Sequence, residues 1–412
     1  MQQPLARMPA AQAESRHAWP MQTDDVIDLA RGLIAIDSVN PTLVPGGAGE
    51  HEIARFVERW AAESGLASRV IPSPDGRPNL VIGDTSADGG DAGTSAAGAA
   101  TPDVSTLMLY GHLDTVGLGS MAAPLEPRID GDRLAGRGAY DQKAGLAAAL
   151  VAVREAARSG ARGRVIVVAV ADEEAASTGI QEVLRHVRAD GAVITEPTEM
   201  AVGIGHRGFV WVEIEVCGKA AHGSRPHLGV DAIFRTGPVI TALERYTERL
   251  ARRSHPLLGA GLLHASLIDG GSEMATLPDR CLLSVERRTL PGETPESVLA
   301  EIEAVLDGCR AADPALVASA RVTIARDPFE IAADDPFVAL VRGATARVTG
   351  APPELAGLSF WADSAYTASA GIPTVLLGPP GDGAHADEEW VSVSGTVACA
   401  RALAEIARDF CG

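Results

Sequence analysis

LMLYGHLDTVG at residues 107–117 and GRGAYDQKAG at residues 136–145 decide how this chain is read. The apolar run 107–110 predicts a buried strand that delivers His112 and Asp114 at its end. In an open α/β sheet, ligands and chemistry gather at strand ends. With Leu113 between them, His112 and Asp114 can share one side of an extended backbone. That spacing suits a metal-bound imidazole whose second ring nitrogen is held by a carboxylate. A lone His-x-Asp equally describes a solvated pair at a strand end. Asp141 follows a glycine-flanked arginine and opens an Ala/Leu-rich helical pattern, a second oxygen donor on a second loop.

Working outward, the same arrangement recurs. RVIVVAV at 164–170 is the most convincing buried strand and ends in Ala171-Asp172-Glu173-Glu174. The short apolar run 192–195 ends in Glu196-Pro197-Thr198, and the run 374–377 leads into GPPGDGAHADEEW, with His385 on a glycine-rich loop. Acidic residues at the ends of buried strands cost desolvation and repel one another unless a cation sits among them. The competing reading is a set of exposed helix N-caps, with Ser177 and Thr178 available to cap the helix after Glu174.

Helical patterns at 24–36 and 50–64, broken by Ser38-Val39-Asn40-Pro41, and strands at 69–71 and 79–82 precede this region. The Gly/Ala/Ser/Asp tract 84–103 has nothing to bury and is expected as a flexible surface excursion. Residues 1–20 lack the apolar centre of a secretory signal and are expected as a ragged tail. From Phe209 the pattern changes to alternation, FVWVEIEV, the mark of a sheet with one wet face. A helix at 229–252, strands at 262–268 and 281–286, a helix at 295–308 and a strand at 322–325 complete a β-α-β-β-α-β order. The expectation is an α/β protein. Its three-layer catalytic domain, 1–205 and 326–412, carries a central mostly parallel sheet, and a ferredoxin-like α+β module is inserted at 206–325.

The 412 residues suffice for two domains and a full core. A formal net charge of −19 argues against nucleic acid or an anionic membrane as partner. No apolar run is long enough to span a bilayer. Five scattered cysteines, Cys217, Cys281, Cys309, Cys399 and Cys411, form neither a disulfide framework nor a thiolate metal site, so a reducing cytoplasm is the expected location.

The constellation is His112, Asp141, Glu174, Glu196 and His385, with Glu173 beside it. Two imidazoles and three carboxylates without thiolate suit zinc, cobalt or manganese, and suffice for two ions if one carboxylate bridges. Such a pair can polarise a carbonyl and hold a hydroxide. Glu173 and Glu174 then divide the roles of proton acceptor and ligand.

These motifs resemble the co-catalytic zinc amidohydrolases and peptidases that include acetylornithine deacetylase, succinyl-diaminopimelate desuccinylase, aminoacylase and glutamate carboxypeptidase. The resemblance runs in order through GHLDTV, GRGAYDQKAG, ADEEAASTG, TEPT, KAAHGSRPHLGVDAI, ERRTLPGE and GAHADEEWV. It implies one metal on His112 and Glu196, another on Glu174 and His385, and Asp141 bridging, with a cis peptide after Asp141. It further implies that Asp114 orients His112, that Glu173 is the general acid/base, and that His222 reaches across a homodimer interface in the inserted module to the developing oxyanion. Arg288 resembles the arginine that grips the substrate carboxylate, a task for a planar bidentate donor. Arg207 is a second candidate, and Arg287 is expected to be a surface charge.

The implied reaction is hydrolysis of an amide bond next to a free carboxylate, in an N-acyl amino acid or short peptide, by a metal-bridged hydroxide. A di- or aminopeptidase of the same family, or an inactive metal-binding relative, are the alternatives. Two stretches depart from the family pattern. GGSEMATLPDRC (270–281) carries Ala275 and Thr276 where relatives place an asparagine, removing an amide contact to substrate. Trp361 in Phe360-Trp361-Ala362-Asp363-Ser364 reads as an apolar wall or as core.

Overall fold

The computed structural model describes residues 23–83 and 104–412; the expected tail and the 84–103 tract lie outside them. Arg164–Val170 and Thr106–His112, rich in aliphatic residues and buried along nearly their whole length, pair in parallel at the centre of a nine-stranded sheet. Gly191–Ile194 and Thr374–Leu376 continue the parallel part. Antiparallel strands Pro78–Ile82 and Ser68–Pro72 close one margin, and Val202–His206 with Phe329–Glu330 the other. Strands buried on both faces need cover on both. Helix Ala144–Ser159, small and apolar from Ala144 to Val153, packs with Thr23–Ile34 and Val393–Cys411 in one apolar cluster. Thr178–His186 and Ser364–Ser369 contribute to a second cluster. The fold is thus a mixed α/β architecture with a central, largely parallel sheet.

The chain leaves this sheet after His206 and returns at Phe329. Between them, Gly208–Cys217, Leu262–Gly270, Arg280–Thr289 and Val317–Arg326 form an antiparallel sheet, with Gly208–Cys217 between Arg280–Thr289 and Val317–Arg326. Val210, Val212, Ile214 and Val216 face a core shared with helices Ala232–Leu250 and Pro295–Ala312. This is the β-α-β-β-α-β order that the succession of strand and helix patterns from Phe209 to residue 325 predicts. Elements the pattern did not show are Val202–His206, Leu355–Leu358 and a small sheet of Arg128–Asp130, Arg133–Ala135, Gly381–Asp382 and Trp390–Ser392. Each is short, and period-2 alternation does not develop over two to five residues.

Candidate metal centre

Four loops converge where the parallel strands end. His112 closes its strand fully buried. Asp141 lies in the turn before helix Ala144–Ser159, and its peptide bond to Gln142 is cis. The Gln142 side chain accepts the His112 backbone N–H at 3.2 Å and the Thr195 hydroxyl at 3.1 Å, joining the segments that carry His112, Asp141 and Glu196. Gly145 brings the helix start against Thr195; a Cβ there would lie 2.3 Å from the Thr195 carbonyl oxygen.

The two oxygens of Asp141 face different histidines. Oδ1 is 3.1 Å from His112 Nε2, and Oδ2 is 3.3 Å from His385 Nε2. His385 Nε2 also lies 3.1 Å from Glu174 Oε2, and His112 Nε2 lies 3.9 Å from Glu196 Oε1. Glu173 offers an oxygen within 4.8 Å of donor atoms of His112 and Glu196. All six residues singled out in the sequence therefore meet.

The charges are frustrated. Burial, then neighbouring Glu196, pushes the Glu173 carboxyl well up; burial and Asp141 do the same to Glu196. Burial alone would depress His112, but Asp141 and then Glu196 hold it well above the ordinary imidazole range. Contacts with Asp141 and Glu174 raise His385 to about 10. Glu174 Oε1 and Glu196 Oε1 are buried without a hydrogen-bond partner among the described residues. A cation satisfies buried oxygens of this kind. Two imidazoles with carboxylates are a donor set for borderline divalent ions, and the residues fit them.

Asp114 is fully buried, yet its carboxylate is not the nearest partner of the His112 ring. His112 Nδ1 is 2.9 Å from the Asp114 backbone oxygen and 3.6 Å from its Oδ1. The carboxylate instead accepts the backbone N–H groups of Glu173 and Glu174, both at 3.2 Å, and the Asn40 amide at 2.7 Å. Behind it Asp172, with φ of +69°, accepts from Asn40 at 3.1 Å, Arg77 at 2.6 Å and the Thr178 hydroxyl at 2.8 Å. Asp172, rather than Ser177, thus ties the start of the helix after Glu174. Arg77 also pairs with buried Glu50. Of this network, the Ser-Val-Asn-Pro break was visible in the sequence only as punctuation, and Glu50 and Arg77 carried no signal.

The remaining candidates sit apart. His222, on Ala221–His222, is exposed, with Nδ1 2.8 Å from the Ser224 hydroxyl. Among the described residues no hydrogen bond or ion pair joins it to the cluster. Arg288 stands opposite Phe209 in the antiparallel sheet, its Cζ 5.4 Å from that ring's centre, and donates through Nε to Glu286 at 2.5 Å. Arg207 donates to the Leu258 carbonyl. Arg287 corrects the surface-charge expectation: it is fully buried and paired with Glu293, because its place in the strand alternation points it to the covered face. Trp361 is half-buried against Phe209, His206 and Tyr366, and its indole donates to the Asp327 carbonyl at 3.0 Å, bracing both crossings between the sheets.

Residues 108–409 match the family model described as "Peptidase family M20/M25/M40". An acetylornithine deacetylase of Myxococcus xanthus is 31% identical over 317 residues, 74% of this chain and 80% of that protein. Among solved structures, aminopeptidase PepT from Bacillus cereus ATCC 10987 superposes with a TM-score of 0.73 at 19% identity, covering 95% of this chain and 99% of that one. The YXEP protein of Bacillus subtilis, described as a dinuclear metal binding peptidase from the M20 family, gives a TM-score of 0.70 at 16% identity, covering 94% of this chain and 98% of that one. The chain belongs to peptidase family M20/M25/M40 and is a metal-dependent hydrolase of amide bonds.

Proposed function

We propose that the chain cleaves an amide bond next to a free carboxylate, in an N-acyl amino acid or a short peptide. The observation carrying this reading is Asp141, whose two oxygens face His112 on one side and His385 on the other. In this reading Glu196 joins His112, and Glu174 joins His385. The chemistry supplied there, by two divalent ions (Zn2+, with Co2+ or Mn2+ able to substitute), is polarisation of the scissile carbonyl and acidification of a water.

The chain's own groups do the rest. Glu173, held through its backbone by Asp114, takes the proton of the attacking water and passes it to the leaving nitrogen. Arg288, braced by Glu286, binds the substrate carboxylate with its terminal nitrogens, and Arg207 is the lesser candidate for that role.

In this reading 206–325 is an inserted lid and dimerisation module, flanked by the two parts of the catalytic domain. Leu262–Gly270 is an edge strand carrying Leu267, 71% exposed, and Ile268, 57% exposed. An apolar edge of this kind invites pairing with a second copy. His222 would then reach the oxyanion in the partner's site. No helix among the described residues is long and apolar enough to cross a membrane, and the unpaired cysteines suit a cytoplasmic enzyme.

The test is hydrolysis of N-acyl amino acids and dipeptides before and after chelation, with Zn2+, Co2+ and Mn2+ restored. Chelator-sensitive release of a free amino acid is expected. Turnover confined to substrates with a free amino terminus would replace this reading with a di- or aminopeptidase.

A further inference from the structure

We infer that Glu389, four residues beyond His385, is the positioning residue that holds Asp141 between the two histidines. The inference rests on the reading of Asp141 as the shared ligand. Glu389 is 3% exposed, and its carboxylate accepts from three backbone N–H groups of one turn. Gly138 donates to Oε2 at 2.9 Å, and Tyr140 and Asp141 donate to Oε1 at 2.9 and 3.1 Å. Arg137, 2% exposed, completes the set through Nη1 to Oε2 at 2.9 Å.

The turn needs this anchor. The first N–H groups of a helical segment have no partner within it, and the residue before them commonly supplies a side-chain oxygen. Here that residue is Gly138, at φ 76°, which has no side chain to offer. Its left-handed conformation is required, and a Cβ would lie 2.7 Å from Thr115 Cγ2. Within the segment Ala139–Lys143, Asp141 and Gln142 depart from helical backbone, so regular helical bonding does not fix Asp141. A carboxylate from a strand-loop unit about 250 residues away does the capping instead.

The placement also couples the ligand loops. Glu389 fixes the Asp141 turn and shares the 383–391 segment with His385. Glu199, three residues after Glu196, accepts the Tyr140 hydroxyl at 2.5 Å and the Gly381 N–H at 3.1 Å. The Asp141, Glu196 and His385 loops are thereby tied by two carboxylates that are not themselves in the cluster. Partners that orient a metal ligand typically contribute about 10–100-fold in metal affinity.

The experiment compares wild type, Glu389→Gln and Asp141→Asn by Co2+ competition titration and visible absorption, with the melting temperature of the metal-free protein measured alongside. Gln presents an N–H2 where the turn presents N–H groups, so it cannot accept all of them. Glu389→Gln is expected to weaken at least one Co2+ by about 10–100-fold and to change the Co2+ spectrum. Folded Glu389→Gln protein with both Co2+ affinities and the spectrum unchanged overturns the inference, whether or not its melting temperature falls. If Glu389→Gln does not fold, Glu389→Asp, which keeps the charge on a shorter arm, is read by the same criterion. Asp141→Asn separates the two levels. If it keeps both Co2+ ions at wild-type affinity, the shared-ligand reading fails; if it loses one while Glu389→Gln loses none, only the role of Glu389 fails.

Discussion

At the loop end of the nine-stranded sheet, Arg77, Glu50 and Asp172 form ion pairs with side chains no more than 8% exposed. On the open face of the four-stranded sheet, Arg321 pairs with Glu213 and Arg280 with Glu215, with the arginines 71% and 53% exposed. The second kind of pair holds no geometry that solvent would not also permit. The first reaches Asp114 through Asn40, which bridges Asp172 and Asp114, and Asp114 in turn holds the backbone of Glu173 and Glu174, inside a region where every misplaced charge is expensive. The difference teaches where precision is needed: the buried loop end holds its carboxylate oxygens in fixed contacts, whereas the open face of the four-stranded sheet leaves its charged side chains to solvent.

If the buried end is built for chemistry, Glu173→Ala should give the largest effect, lowering kcat by about 10²–10⁴-fold while metal content stays at the wild-type level. Simultaneous loss of metal would make Glu173 a ligand and not the proton carrier. Arg77→Ala should follow, leaving Glu50 and Asp172 buried without their cation at a cost of roughly 3–5 kcal/mol. Urea unfolding measures it; a loss under about 1 kcal/mol, the range of exposed pairs, would erase the contrast between the two regions. Metal binding should sense the same burial. Its contacts with Asp141 and Glu174 push the His385 imidazole up to about 10, so at lower pH a bound proton must leave before a cation enters. Affinity should therefore fall as pH falls, by about tenfold per pH unit for each proton displaced, in titrations at pH 6, 7 and 8. A flat profile would mean that the histidines do not hold the ion.

The convergence of His112, Glu173, Glu174 and Glu196 was legible in the sequence because these residues follow buried strands. Runs such as RVIVVAV announce themselves, and the polar residue just beyond them stands out against the apolar pattern. The alternation beginning at Phe209 likewise exposed the second sheet, although Arg287 shows the limit of judging arginine by type rather than by its place in the alternation. What stayed hidden was the support. Arg77 and Glu50 meet across 27 residues, and Glu389 and Asp141 across 248, so no local pattern joins them. Asn40 and Asp172 lie in stretches that read as a helix break and as a neighbour of the Glu pair. Residues whose task is to hold other residues acquire meaning only from the tertiary fold.

The smaller effects belong to the antiparallel sheet. Arg288→Ala should raise KM about 10–100-fold with little change in kcat, since a charge-assisted hydrogen bond to a carboxylate is worth roughly 1.5–3 kcal/mol. An unchanged KM would place carboxylate recognition elsewhere, with Arg207 next in line. Arg321→Ala, on a strand of the same sheet, should change stability by only about 0–1 kcal/mol, because the pair with Glu213 is already shared with water. Its value lies in being measured beside Arg77→Ala under the same denaturant. Equal losses would show that exposure is a poor guide to how this fold uses its arginines. A gap of several-fold would show that the buried ion pairs behind Asp114 hold the fold as the exposed pairs do not.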